Sequence, residues 1–378
     1  MSNLVIRKLD ETAAGGPIGT RLAAWRRRRG LALNDLASRT GLDLGYLTGL
    51  EVGRDWVDRR GRLAKLAHAL RLDITDLTGQ PYPPHGEDHV AVRAVAFRLR
   101  GHLACRPPNT STGVSLEELA ELSQAAAQAD ATGDEQLLAL TLPELIQDAD
   151  RASVAASGPE RDEVVRMRVQ AQVMAAGLLR RLGYKDLAWT LLNQARASTR
   201  EPLPVLVEEV RLLIDLGLPE YALARTKRAD DVAPSWEVAA LAAIAQAMTG
   251  RRQEAEQLLT TAADRVTDAR ESALVIAARA TVAAEHGNAA EASEHARMAD
   301  QAALSGAHRS SLLVLAAAAE ARQGRADQAA ARLLAAEAAA PLRLRLDPFA
   351  RDLIAALTTS TRVQAVAVKV LAERAGLR

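Results

Sequence analysis

Apolar residues recur at helical spacing along almost the whole chain, and the breaks between these stripes are marked by glycine, proline and capping residues. Ile18, Leu22 and Trp25 lie on one face of a first helix. Leu33, Leu36 and Ala37 open a second, which Gly41 and Leu42 end. Asp43 is placed to cap a third helix from about Leu44 to Glu51, with Gly53 as its stop. Leu63, Leu66, Ala67 and Leu70 stripe a fourth, and Asp73 or Thr75 can open a short fifth around Leu77. The prolines at 81, 83 and 84 interrupt the pattern and predict a stiff, extended spacer. A connecting helix is expected from about Glu87 to Ala104, then a second break from Arg106 to Gly113. Ser115 and Glu118 form a capping box that opens the next helix.

Beyond that point the pattern repeats. Glycines fall at 183, 217, 250, 287 and 324, spaced by 34, 33, 37 and 37 residues. Five residues after each stands an alanine: Ala188, Ala222, Ala255, Ala292 and Ala329. Twelve after stand Ala195, Ala229, Ala262, Ala299 and Ala336, and seven before stand Ala176, Val210, Ala243, Ala280 and Ala317. A turn glycine joins two antiparallel helices, and small residues are needed where their backbones approach. Gly133, with Leu138 and Leu145 at the alanine positions, predicts a degenerate further pair over 115–150. Asp347-Pro348 then opens terminal helices.

The expected class is all-α. Composition agrees: 48% of residues are hydrophobic but only 3% aromatic, and alanine and leucine dominate. The expected boundaries are a flexible arm over 1–16, a helical head over 17–80, a Pro-rich linker and connecting helix over 81–114, repeats over 115–346 and capping helices over 347–378. The net charge of +1 conceals an asymmetry. Residues 1–84 carry 14 Lys/Arg against 9 Asp/Glu, and the remainder 34 against 38. A basic head on an acidic body fits nucleic-acid binding at one end. A single cysteine, Cys105, allows no internal disulfide, and with no secretory signal in view a cytoplasmic location is expected. The longest uncharged apolar runs are too short for a bilayer, so no membrane partner is expected.

The run from Gly30 to Arg54 reads G-L-x-x-x-x-L-A-x-x-T-G-L-x-x-x-Y-L-x-x-L-E-x-G-R. It resembles the Cro/repressor-type (xenobiotic-response-element-type) helix-turn-helix transcription regulators. The resemblance covers about 60 residues and implies a five-helix, lambda-repressor-like domain that binds double-stranded DNA. It implies base-facing positions at Leu44, Gly45, Thr48 and Gly49. Leu33 and Asn34 would stand at the start of the second helix, Arg54 on a phosphate, and Glu51 in a structural role. Arg29 at the end of the basic run 26–29 and Arg59 are further phosphate candidates, whereas Arg7 and Lys8 lie in the arm, which is expected to be disordered rather than to reach DNA. Tyr46 is a weaker candidate, since packing competes with base contact. The family's usual polar residue at the second helix is replaced by Leu33, and its Ser/Thr cap by Ala32. No base-facing position carries Arg, Asn or Gln, the strong base readers. Sequence preference would then rest partly on DNA shape.

The period and small-residue register resemble tetratricopeptide repeats, forming an α-solenoid over about residues 160–341. In such an array the first helix of each repeat lines the concave surface. Gln170, Val173, Arg180, Val207, Arg211, Ile244 and Thr281 are the candidate groove residues. No inward position carries asparagine, which argues for an apolar small molecule, a protein helix or a second subunit over an extended polar peptide.

No phosphate-cradling loop, dinucleotide fingerprint, H-E-x-x-H or cysteine pair occurs, so no enzyme activity, cofactor or metal is expected. The sequence therefore describes a sequence-specific DNA-binding transcription regulator, expected to be a homodimer, whose repeats dimerise and sense a ligand or protein partner. The alternative is a protein-interaction adaptor with a degenerate DNA-binding head.

Overall fold

The computed structural model describes residues 17–104, 114–200, 202–358 and 365–377. The arm with Arg7 and Lys8, and the break that begins at Cys105, lie outside the described residues. Among the described residues there are helices and no strand.

Five helices build the head: α1 (Ile18–Arg28), α2 (Leu33–Thr40), α3 (Leu44–Glu51), α4 (Arg60–Leu70) and α5 (Ile74–Thr78). Leu22, Leu36, Leu47, Leu50, Leu66 and Leu77 form its core. Asp43 caps α3 by accepting from the Tyr46 amide at 2.9 Å, and Asp73 caps α5 through the Thr75 amide at 2.7 Å. Gly41 ends α2 in the left-handed conformation, at φ 66°. The Arg26 guanidinium grips both oxygens of Glu51 at 2.6 and 2.7 Å, tying the end of α1 to the end of α3. Arg26 is thus structural, as is Glu51.

α6 (Gly86–Ala104) connects the head to six helix pairs. These are α7 (Leu116–Thr132) with α8 (Glu135–Ala155), α9 (Gly158–Leu182) with α10 (Lys185–Ser198), and α11 (Leu203–Asp215) with α12 (Pro219–Val232). Then come α13 (Trp236–Met248) with α14 (Arg252–Asp264), α15 (Ala269–Glu285) with α16 (Ala289–Met298), and α17 (Gly306–Arg322) with α18 (Ala326–Ala339). The periodic glycines sit at the turn inside each pair with φ between 70° and 91°. The alanines five residues on are fully buried in all five periodic pairs, as the register requires, and Leu138 and Leu145 replace alanines in the first pair. The capping box at Ser115 forms with both of its hydrogen bonds. Three short helices follow: α19 (Pro341–Leu346), α20 (Pro348–Thr358) and α21 (Ala365–Arg374).

Two features depart from the sequence expectation. First, the array turns back so that its last pair meets its first. Arg343 of α19 donates to Asp130 and Glu135, each at 2.7 Å. Gly306, at the start of α17, comes so close to α7 that a Cβ there would stand 2.5 Å from the Thr132 carbonyl oxygen. Six pairs therefore complete a ring rather than an open groove. Second, the proline-rich segment is no free spacer. Tyr82 is buried under the Arg351 guanidinium, 3.9 Å from its ring centre. Gln80 donates to the carbonyls of Arg181 and Leu346 at 2.8 and 3.2 Å. The segment after the head is thus packed onto the helices of the ring.

Candidate nucleic-acid interface and interdomain cavity

One face of the head points away from the ring. Arg27, Arg28 and Arg29 at the end of α1 are exposed, as are Asn34, Ser38 and Arg39 on α2, Leu44 and Gly45 at the start of α3, and Arg54 beyond it. The starts of α2 and α3 thus lie at the surface, with Asp35 accepting from the Ala32 amide and Asp43 from the Tyr46 amide. Backbone amides at helix N-termini and arginines are the groups that hold phosphates. Arg29 is anchored at 3.3 Å to the carbonyl of Arg71. Arg39, exposed on α2, joins this face without having been singled out by the motif.

Other candidates are turned elsewhere. Leu33 is half-buried and packs on the head core. Thr48 is half-buried and gives its hydroxyl hydrogen to the Leu44 carbonyl at 2.8 Å, which leaves its methyl and lone pairs for any contact. Gly49 is buried, and a Cβ there would stand 3.0 Å from that of Asp55. Tyr46 donates its hydroxyl to the Trp56 carbonyl at 3.2 Å and carries the Arg62 guanidinium 4.4 Å above its ring. Burial raises its phenol well above the ordinary value. Tyr46 is a packing residue in this structure. Arg59 points into the ring: a Cβ on Gly287 would stand 2.4 Å from its guanidinium. Burial lowers its pKa.

The seated side of the head is held by three residues of the ring, each over 200 positions away in sequence. Asp352 of α20, 3% exposed, accepts from the amides of Ile18 at 2.8 Å and Val57 at 2.7 Å. Glu285 at the end of α15 accepts from the amides of Arg60 at 2.7 Å and Gly61 at 3.1 Å. Neither α1 nor α4 has a capping side chain of its own, since Pro17 and Arg59 hold those positions. The ring supplies the caps, and the carboxylates meet the positive ends of the two helix dipoles. Burial pushes the Asp352 carboxyl up to about 7, against the pull of the Val57 and Ile18 amides. Glu285 is pushed up by burial as well.

Arg322 at the end of α17 is the third anchor. It donates to Asp55 at 2.5 Å, to Asp58 at 2.7 Å and to the Trp56 carbonyl at 2.6 Å, and it stacks on the Trp56 ring at 4.0 Å. Gly61 allows α4 to lie close to the ring, because a Cβ there would stand 2.9 Å from the Met248 carbonyl oxygen. No sequence motif announces Asp352, Glu285 or Arg322. The one local hint is the missing cap in front of α1 and α4.

Beneath the head lies a cavity of about 560 Å3. The loop from Trp56 to Arg60 forms one wall, the first helices of the pairs most of the rest, and Asp347 and Phe349 complete it. Of the candidate groove residues, Arg180, Arg211, Ile244 and Thr281 line it. Gln170 is exposed elsewhere, Val173 packs on the core of the first pairs, and Val207 is buried between α11 and its neighbours. Arg180 pairs with Glu208 at 2.7 Å and Asp215 at 2.5 Å, and Arg211 pairs with Glu208 and Glu237.

Comparison with known proteins follows the same division of the chain. Residues 17–78 match the family model described as "Helix-turn-helix domain". A solved tetratricopeptide repeat protein from Parabacteroides merdae is 14% identical, with a TM-score of 0.43, and the match covers 76% of this chain and 99% of that one. No curated protein matches. The chain thus joins an N-terminal domain that matches the helix-turn-helix model to six pairs of antiparallel helices. Among the described residues no helix is long and apolar enough to cross a membrane, and no cluster of His, Cys, Asp and Glu is arranged to hold a metal ion.

Proposed function

We propose that this protein is a non-enzymatic, cytoplasmic transcription regulator that binds double-stranded DNA through the exposed face of its head, with the repeat ring as a rigid mount and sensor. The observation that supports it best is the division of the head's surface. The starts of α2 and α3 and their arginines face outward, while the opposite side is capped and clamped by the ring. The mount holds the recognition helix without covering it.

The recognition helix is poor in base readers, so a second half-site is needed for specificity. α6 supports a homodimer. Val90, Ala94, Phe97 and Gly101 are all exposed, and their spacing places them on one face of the helix. Val90 is 54% exposed and Phe97 78%. Glu87 and Asp88 stand at one end of that helix, Arg98 and Arg100 at the other. Two copies packed antiparallel would bury the apolar stripe, and Arg98 and Arg100, which contact the Leu140 carbonyl and the Tyr184 ring of their own chain, would have to turn outward to meet the acids. Two heads would then face half-sites about one helical turn apart.

Sequencing the DNA that co-purifies from cells, followed by fluorescence anisotropy on the recovered fragment, tests the reading. Affinity should fall steeply with salt. Arg54→Ala should weaken binding to all sequences and lower the salt slope by about 1. Absence of any complex at low salt, with partner proteins still captured, would support the adaptor reading instead.

A further inference from the structure

We propose that the cavity under the head binds one neutral, mostly apolar small molecule that carries a hydrogen-bond donor, such as a hydroxyl or N–H. The proposal rests on the ligand-sensing reading and gives that ligand a place and a chemistry.

Size and enclosure come first. A volume of about 560 Å3 falls in the usual range for small-molecule sites, roughly 300–1,000 Å3. The last pair closes on the first and the head loop from Trp56 to Arg60 forms one side, which leaves a half-open space sized for a compact molecule. Its apolar wall is made by Trp236, Ile244, Leu274, Leu312, Leu315 and Phe349.

Charge comes next. Five guanidinium groups line the cavity, those of Arg59, Arg60, Arg180, Arg211 and Arg322. Each already has a carboxylate: Asp58 at 3.8 Å for Arg59, Asp215 at 3.6 Å for Arg60, and the pairs given above for the others. His308 is held down to about 4 by burial and by Arg211, Arg343 and Arg270, so it adds no positive charge at neutral pH. A charged ligand would lose its hydration and have to compete with these existing pairs.

Two hydroxyls on the wall set the polarity of one ligand hydrogen bond, while the Trp56 indole N–H, buried without a partner, is a donor on the loop side. Thr281 gives its hydroxyl hydrogen to the Ala277 carbonyl at 3.0 Å, and Ser311 gives its own to the Ala307 carbonyl at 3.2 Å. Both line the cavity, and what they have left to offer are acceptor lone pairs. A ligand donor matches them.

The probe for the test is N-phenyl-1-naphthylamine, which is neutral, aromatic and carries one N–H. Its anionic relative 1-anilinonaphthalene-8-sulfonate is the charged control. Titrated into the full chain, the neutral probe should give saturable fluorescence at one site per chain and bind at least tenfold tighter than the sulfonate. Ala277→Trp, which fills the cavity, should weaken it at least tenfold. Leu274→Ala, a milder change, should weaken it several-fold with the fold intact by circular dichroism. Phe97→Asp, on the outer face of α6, should leave it unchanged. Non-saturable binding, equal or tighter binding of the sulfonate, or indifference to both cavity variants overturns the proposal. Loss of DNA binding with probe binding intact would overturn the regulator reading alone.

Discussion

Replacing Arg322 by alanine should release the head from the ring without unfolding either. The side chain makes three hydrogen bonds to Asp55, Asp58 and the Trp56 carbonyl and stacks on Trp56. Removing one partner of a buried ion pair costs about 3–5 kcal/mol. Two facts place this case at the low end. The Arg322 side chain is 22% exposed, and Asp58 keeps Arg62 at 2.9 Å. The expected loss is about 3 kcal/mol of docking free energy, on the order of a 100-fold shift toward the undocked head. Amide hydrogen exchange reads it directly, because the Val57, Arg60 and Gly61 amides are bonded to ring carboxylates. Those amides should exchange on the order of 100-fold faster, while amides of α3 in the head core keep their protection. Arg322→Lys should fall between, since it keeps the charge but loses the fork and the stacking. Unchanged exchange at residues 57–61 would refute the clamp. Equal acceleration throughout the head would show that Arg322 holds the head's fold rather than its seat.

Asp352 predicts a pH dependence. Its carboxyl is raised to about 7 by burial, so its contribution to stability is complete below the ordinary carboxylate value and is lost as pH rises through about 7. The difference in Tm between the native protein and Asp352→Asn should therefore shift against the native protein between pH 5 and pH 8, with the histidine contributions cancelling; a constant difference would refute the assignment. Gly306→Val should break the contact between the first and last pairs, because the new side chain meets the Thr132 carbonyl, and small-angle scattering should show a larger radius of gyration. Phe97→Asp should convert the proposed dimer to a monomer by sedimentation, with an unchanged helical spectrum. A dimer that survives this change uses another surface.

The fold was legible in the sequence wherever a local rule decides structure. Turn glycines with alanines at fixed offsets define the helix pairs, since only small residues fit where those backbones approach. Asp43, Asp73 and Ser115 could be placed as caps because a cap and its amide are two or three residues apart. The surface of the head was legible in part: Leu44, Gly45 and Arg54 are exposed, and Tyr46 packs, as competition between packing and contact suggested. Gly49 is covered and Arg59 turned inward, because the loop from Asp55 to Arg59 is held by a ring residue more than 260 positions away. The closure of the ring was illegible for the same reason. A small twist summed over six pairs decides whether α17 passes α7 or touches it, and no single position carries that sum. What the sequence did contain was an absence. α1 and α4 begin at Pro17 and Arg59 with no side chain to take their first amides, and helix starts left in that state must find acceptors elsewhere. Asp352 and Glu285 are those acceptors. The uncapped helix starts and the buried carboxylates, each unfavourable alone, offset one another only when the head is seated. The mutual dependence makes the seat specific, and it places the loop over the cavity under the control of the same few contacts.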